Sequence, residues 1–308
     1  PYDSWLDTRC GRYAEIMKNS AEQEIIKSTG GQVTVAHGPK ILWWKHECPE
    51  IYDRICKFVT PAAYAAGKLC GKKGDDAFID YTYLHFTGFA DNERICWNKT
   101  LLNEFGINEE RLCRIAAPFE AIGTLKREWA AQMLLHDGVV VAAGCGDSAA
   151  SSLGAGVTEP GIVYDVAGTA SVFSMSAPGY APDTEYRTVL YARSVLEELF
   201  IPLAYISGGG LCLRWFKELH NTEYELLDQE AMKQAPGSGG VCFIPHFSGR
   251  TCPYESEIKG AFIGLDITHG VGHMYRAIME SIGFEYSYYN NILKDRTGVS
   301  PKYIYGTG

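Results

Sequence analysis

The chain has 308 residues, 46% of them hydrophobic and 21% charged, and a formal net charge of −9 at pH 7. That length exceeds what one hydrophobic core usually organises, so two domains are expected. The acidic balance, with basic residues scattered along the chain, rules against nucleic acid as a partner, and no apolar run is long enough to span a bilayer.

Residues 9–29 carry mixed charge and spaced apolar positions and stop at Gly30-Gly31, which predicts a helix with a glycine cap. "PKILWWKHECPEIYDRI" (39–55) predicts a second helix with Pro at its start, interrupted by Pro49. Residues 71–91 hold glycine, lysine and acid turns followed by aromatic, β-rich segments. Residues 97–107 read as a short amphipathic helix ended by Gly106, and 124–136 as another. "GVVVAAGCG" (138–146) reads as a buried strand.

Composition changes after Gly156. "GIVYDVAG" predicts a strand and "SVFSMSA" its hairpin partner. Residues 203–219 run from a strand through three glycines into a helix. "GGVCFIPHF" predicts a strand, 268–295 a long helix with apolar residues three and four apart, and "KYIYGTG" a closing strand. Together these give an α/β protein with a boundary near residue 155.

Ten cysteines form no CxxC pair and no zinc-spaced Cys/His cluster. Those in "ERICWN" and "GGVCFIP" read as small core residues, and with no secretory signal the set suits a reducing cytoplasm.

Chemistry is suggested where one design recurs: an apolar strand, a glycine turn, then small or hydroxyl residues. It occurs at 139–152, 162–171 and 303–308, with 203–215 a relative. Such turns let a ligand approach the backbone and gather N–H groups into one concavity, a design suited to phosphate. The P-loop spacing, the dinucleotide fingerprint and the GxSxG elbow are all absent. Asp147 has two readings: a helix N-cap for "SAASSL", or a carboxylate poised at a strand end to accept a proton from a hydroxyl. Thr169 divides between a turn residue and a phosphate contact. Trp5, Asp7 and Arg9 divide between a polyol-binding face and a packed aromatic beside a surface ion pair.

These residues resemble the FGGY carbohydrate kinases. "SWLDTRC" is similar to the family's W-x-D-x-R segment, and "GPKILWWKHECPEIY" to its lysine–aromatic helix. "GCGDSAASSLGAG" is similar to the segment holding the catalytic aspartate, and "DVAGTASVF" to the phosphate-contacting turn that follows. "PHFSGRTCPYESEIKGAFIGLDITHGVGHMYRAIMES" matches the signature of the C-terminal domain. The chain departs from the family pattern at Val35 and His37, at "GRTCP", and in the closing Gly-Thr-Gly.

The resemblance implies an actin-like, ribonuclease-H-like two-domain fold with the ligand cleft between domains, residues 1–154 on the sugar side and 155–308 on the nucleotide side. It implies ATP with Mg²⁺ as cofactors and a sugar or polyol acceptor, with a ketopentose such as D-xylulose favoured by "GDSAASSLGAG". Ribulose, gluconate and glycerol remain alternatives. So does a non-catalytic sugar-binding sensor or scaffold on the same fold; an actin-like or chaperone-type ATPase would leave the Trp5/Asp7/Arg9 wall without a reason. Asp147 becomes the general base and Ser148 a neighbouring sugar contact; Trp5, Asp7 and Arg9 belong to the sugar-side wall. Gly168 and Thr169 approach the nucleotide phosphates, Gly210 and Arg214 line the nucleotide pocket, and Gly308 begins the adenosine turn. The family's opening D-x-G-T loop and most of its adenine region fall outside this chain. It is therefore expected to be an internal piece of a longer protein, inactive alone, with the metal ligands in the absent loop. Homodimers are common among relatives.

Overall fold

The computed structural model describes residues 2–4, 6–136 and 138–308. The chain divides into two compact units: 1–158 with 178–184 and 190–201, and 159–177 with 185–189 and 202–308.

The first unit opens with α1 (Gly11–Thr29), α2 (His37–Glu47) and α3 (Pro49–Tyr52). Gly30 closes α1 in the left-handed conformation, its amide returning to the Ile26 carbonyl. Pro49 can begin a helix but cannot continue one, hence the break between α2 and α3. Next come α4 (Pro61–Cys70), β1 (Phe78–Asp80), β2 (Ala90–Asp91), β3 (Cys96–Trp97), α5 (Lys99–Glu104) and β4 (Arg114–Ala116). The unit continues with β5 (Ala121–Thr124), α6 (Arg127–Met133), β6 (Val140–Ala142) and α7 (Asp147–Gly154). The largest core cluster here joins Met17 and Ile25 of α1 to Leu42 and Trp44 of α2 and to Leu101 and Leu102 of α5.

Three expectations are corrected here. The stretch 81–86 is a 3₁₀ turn rather than a strand, because the Asp80 carboxylate accepts the Thr82 amide and caps a helical turn. β6 is exposed rather than buried. Among the described residues it pairs only with β5 in a two-stranded sheet, leaving Val139 and Val140 uncovered while Ala143 enters the core. Cys96 and Cys242 are exposed, because each sits on a short strand whose neighbour, Trp97 or Phe243, turns inward. All ten cysteines are free.

The second unit is built on β7 (Ile162–Ala167) and β8 (Ser171–Met175), an antiparallel pair that aligns Ala167 with Ser171. After β9 (Ala177–Pro178) and then β10 (Leu190–Arg193), which belongs to the first unit, β11 (Leu199–Ile206) aligns its Ile206 with Ser171 of β8. Then follow α8 (Gly209–His220), α9 (Tyr224–Met232), β12 (Cys242–Ile244), β13 (Ala261–Ile263), α10 (Val271–Thr297) and β14 (Tyr303–Thr307). β14 lies parallel to β7 at the sheet's edge, with Thr307 opposite Val166. The long helix α10 serves two cores. Tyr275, Ala277 and Ile278 pack with α8, α9 and β12, and Tyr289, Ile292 and Leu293 pack on the sheet. The ends of β7, β11 and β14, and with them residues 168–169, 208–210 and 308, therefore lie at one end of the sheet.

Candidate functional site

In the first unit the focus is the strand-to-helix turn before α7. Gly146 is the N-cap and makes no side-chain cap bond, and Asp147 is already the first helical residue. The N-cap reading of Asp147 is therefore corrected. Its carboxylate instead accepts the Ser148 amide at 2.8 Å and stays exposed, as does Ser148. Among the described residues no cation pairs with Asp147, so its oxygens are left to solvent and to an incoming donor.

What stands behind Asp147 was not visible in the sequence. The Gly146 amide donates to Thr82 Oγ1 at 2.9 Å, and that hydroxyl donates in turn to the Asp80 carboxylate. Both Thr82 and Asp80 are buried. Burial holds the Asp80 carboxyl above its ordinary range, against the hydrogen bonds from Thr82 that lower it. The Tyr83 ring lies beside the same turn, 3.5 Å from where a Cβ on Gly146 would sit. Burial, then the negative charges of Asp80 and Asp147, push the Tyr83 phenol up. The same causes raise the Cys145 thiol, which keeps it from acting as a thiolate nucleophile beside Asp147.

Of the wall formed by residues 5–9, Trp5 lies outside the described residues. Asp7 and Arg9 form a forked ion pair with Nη2 to Oδ2 at 2.6 Å, and Arg9 stacks 4.3 Å over the Trp43 ring. That pairing, above all the Arg9 hydrogen bond, holds the Asp7 carboxyl down at about 2. Lys40 Nζ donates to the Ser4 carbonyl and Trp44 Nε1 to Asp3, which ties the segment to α2. Among the described residues no hydrogen bond or ion pair joins Asp7 or Arg9 to Asp147.

In the second unit Gly168, Thr169, Gly210 and Gly308 are brought together. The Gly210 amide donates to the Gly168 carbonyl at 3.0 Å and the Leu211 amide to the Thr169 carbonyl at 3.1 Å. The hairpin turn thus caps the N-terminus of α8. A Cβ at Gly210 would lie 2.4 Å from the Gly168 oxygen, and one at Gly308 would lie 2.3 Å from the Ala167 oxygen. Backbone packing against backbone is the reason for glycine at both positions. Thr169 stands exposed at the tip, and among the described residues its hydroxyl has no hydrogen bond. Arg214 lies one helical turn beyond Gly210, on the same face of α8, and is exposed. An exposed hydroxyl on a glycine-framed turn, with a cation one turn along the adjoining helix, fits a phosphate-bearing ligand. Among the described residues no three His, Cys, Asp or Glu side chains are grouped to hold a metal, and no helix is long and apolar enough to cross a membrane.

The N-terminal domain of the FGGY family of carbohydrate kinases matches residues 2–154, and its C-terminal domain matches residues 163–308. The xylulose kinase of Lactococcus lactis is 27% identical over 285 residues, which cover 91% of this chain and 56% of the relative. The gluconokinase of Bacillus subtilis is 25% identical over 297 residues, covering 92% and 57%. The crystal structure of a "xyloylose kinase" from Brucella ovis superposes with a TM-score of 0.88 at 27% identity, over 99% of this chain and 62% of that one. The chain thus spans a little over half the length of the curated relatives it matches. With both family domains matched in order along nearly its whole length, on the α/β two-domain fold of the actin-like sugar kinases, the chain belongs to the FGGY family of carbohydrate kinases.

Proposed function

We propose that the protein containing this chain transfers the γ-phosphoryl group of ATP to a hydroxyl of a sugar or polyol, with Asp147 as the general base. The observation that carries this reading is the state of Asp147: an exposed carboxylate at the start of α7, free of any cation among the described residues. Phosphoryl transfer asks little covalent help of a protein; it requires alignment, charge neutralisation and a proton acceptor for the attacking oxygen. A carboxylate suits that last role because the hydroxyl becomes acidic only as its bond to phosphorus forms, and such assistance is worth about 10²–10⁴-fold. Ser148 contributes a second polar group beside the acceptor. Asp7 and Arg9, already locked to each other, offer a rigid polar pair for sugar hydroxyls.

On the nucleotide side Thr169 and the turn at Gly168 meet the phosphates, Arg214 adds positive charge, and Gly308 begins the turn toward the adenosine. Mg²⁺, when bound with ATP, supplies neutralisation of the phosphate charge; no residue of this chain is assigned to hold it. A ketopentose such as D-xylulose is the favoured acceptor. Gluconate is the next candidate, since the B. subtilis gluconokinase is nearly as similar to this chain as the L. lactis xylulose kinase.

The test is Asp147→Asn in the full-length protein. Sugar binding is expected to persist by calorimetry while kcat falls by at least about 10²-fold, the general-base contribution. Near-normal turnover would remove Asp147 from the chemistry. A coupled assay across D-xylulose, D-ribulose, D-gluconate and glycerol assigns the acceptor, and ATP turnover indifferent to all four would refute the kinase reading.

A further inference from the structure

With the Asp80 carboxyl ionised, the chain Asp80–Thr82–Gly146 has one arrangement of its hydrogens that works. The Asp80 carboxylate is 2% exposed and accepts twice from one residue: from the Thr82 amide at 3.0 Å and from the Thr82 hydroxyl. An ionised carboxylate has no hydrogen to give, so the Thr82 hydroxyl must spend its own on Asp80. Its lone pairs are then turned toward the Gly146 amide, which donates to them at 2.9 Å. Gly146 is buried and is the N-cap of α7; its amide is the last before Asp147. No other side chain bonds that amide among the described residues. The contact spans 64 residues of sequence, tying the 3₁₀ turn at 81–86 to the strand-to-helix turn at 146. Gly146 has φ −61° and ψ 149°, an ordinary extended conformation that does not require glycine. Gly146 is therefore held by this hydrogen-bond relay and not by an unusual angle of its own; the left-handed residue of the turn is Gly144, at φ 77°.

We propose that Thr82, oriented by Asp80, is the positioning residue for Asp147: it fixes the backbone from which the candidate base projects. This rests on the reading of Asp147 as that base. Thr82 itself touches no substrate. Its effect on the reaction is geometric, and a base displaced by a fraction of an ångström loses alignment with the acceptor hydroxyl while acceptor binding, made by other groups, persists.

Two substitutions separate the proposal from simple packing. Thr82→Val keeps the shape and deletes both hydrogen-bond roles; Thr82→Ser keeps the hydroxyl. Both are made in the full-length protein and assayed with ATP and whichever of D-xylulose or D-gluconate the wild type turns over. For Thr82→Val the expected result is a fall in kcat of about 10–100-fold, with acceptor KM within about threefold of wild type. Thr82→Ser is expected to restore kcat to within about threefold of wild type. Exchange of the Gly146 amide, followed by NMR or by mass spectrometry of the 139–153 peptide, gives a readout independent of activity. It is expected to be protected in the wild type and in Thr82→Ser, and at least about tenfold faster in Thr82→Val.

The proposal is overturned by a Thr82→Val enzyme with wild-type kcat, by equal losses in the valine and serine variants, or by a loss confined to KM. If Thr82→Val does not fold, an unprotected Gly146 amide in the wild type still overturns it, and a protected one together with the active serine variant supports it. Failure of the Asp147 reading is a different result: Asp147→Asn turns over normally whatever the Thr82 variants do.

Discussion

The Gly210 amide lies 3.0 Å from the Gly168 carbonyl oxygen, so close that the helix backbone of α8 rests directly on the hairpin turn. Exchanging Gly for Ala inside a helix ordinarily stabilises it by about 0.5–1 kcal/mol. Here the sign should reverse. A methyl group at 210 would meet the Gly168 oxygen at 2.4 Å, and neither partner is a flexible side chain. Gly210→Ala is expected to cost about 1–3 kcal/mol by overpacking. Gly283→Ala in α10 is the control. Nothing lies within 4 Å of the added carbon there, and the ordinary gain of about 0.5–1 kcal/mol is expected. Urea titration of both variants checks the pair, and equal shifts would contradict the packing argument.

Two imidazoles make the first unit sensitive to acid. Burial, then the Lys40 charge, lowers the His37 pKa from its ordinary 6.5 to about 4. Burial, then the His37 charge, lowers that of His85 to about 3. The unfolded chain thus binds more protons than the folded one between about pH 3 and 6.5. The contribution of these two rings to stability must rise with pH across that window and level off above it. In a His37→Phe/His85→Leu double variant this slope disappears. The melting temperature of the variant minus that of wild type should therefore increase as pH falls from 6.5 to 4. A constant difference would show that neither ring is held neutral.

Arg193 is 5% exposed and caps three backbone carbonyls: Nε donates to that of Asn92 at 2.7 Å, Nη2 to that of Glu93 at 3.0 Å and Nη1 to that of Glu197 at 3.2 Å. Its guanidinium also lies 4.6 Å from the Phe200 ring. Arg193→Leu fills the space but orphans three oxygens, and should destabilise the first unit by about 3 kcal/mol or more. Arg193→Lys can satisfy only part of this fork and should fall between the two. Thermal melts of the three proteins order them, and a leucine variant as stable as wild type would refute the capping role.

Sequence reasoning reached the elements whose cause is local. The end of α1 is written in Gly30, the break after α2 in Pro49, and α10 in its three-and-four spacing of apolar residues. The glycine turns at 168, 210 and 308 are legible too, although the tightest contacts there are with backbone oxygens, that of Gly168 for Gly210 and that of Ala167 for Gly308. What escaped was non-local. Nothing near Val140 says that its strand will find only one partner, and nothing near Cys96 or Cys242 says which face of a short strand will be covered. The Thr82–Gly146 bond joins two unremarkable stretches, and only the folded chain brings them together. The reading of Asp147 as a cap fails by one residue: the cap is Gly146.

β14 has consequences for anyone handling the chain by itself. Tyr303, Ile304 and Tyr305 stand 58%, 67% and 43% exposed on a strand that, among the described residues, is hydrogen-bonded along one side only. The other side is a row of open donors and acceptors flanked by aromatic and branched side chains, a template onto which another polypeptide can dock edge to edge. Concentrated solutions of the isolated chain should self-associate through this strand, and a lysine or proline introduced at 304 should keep them clear.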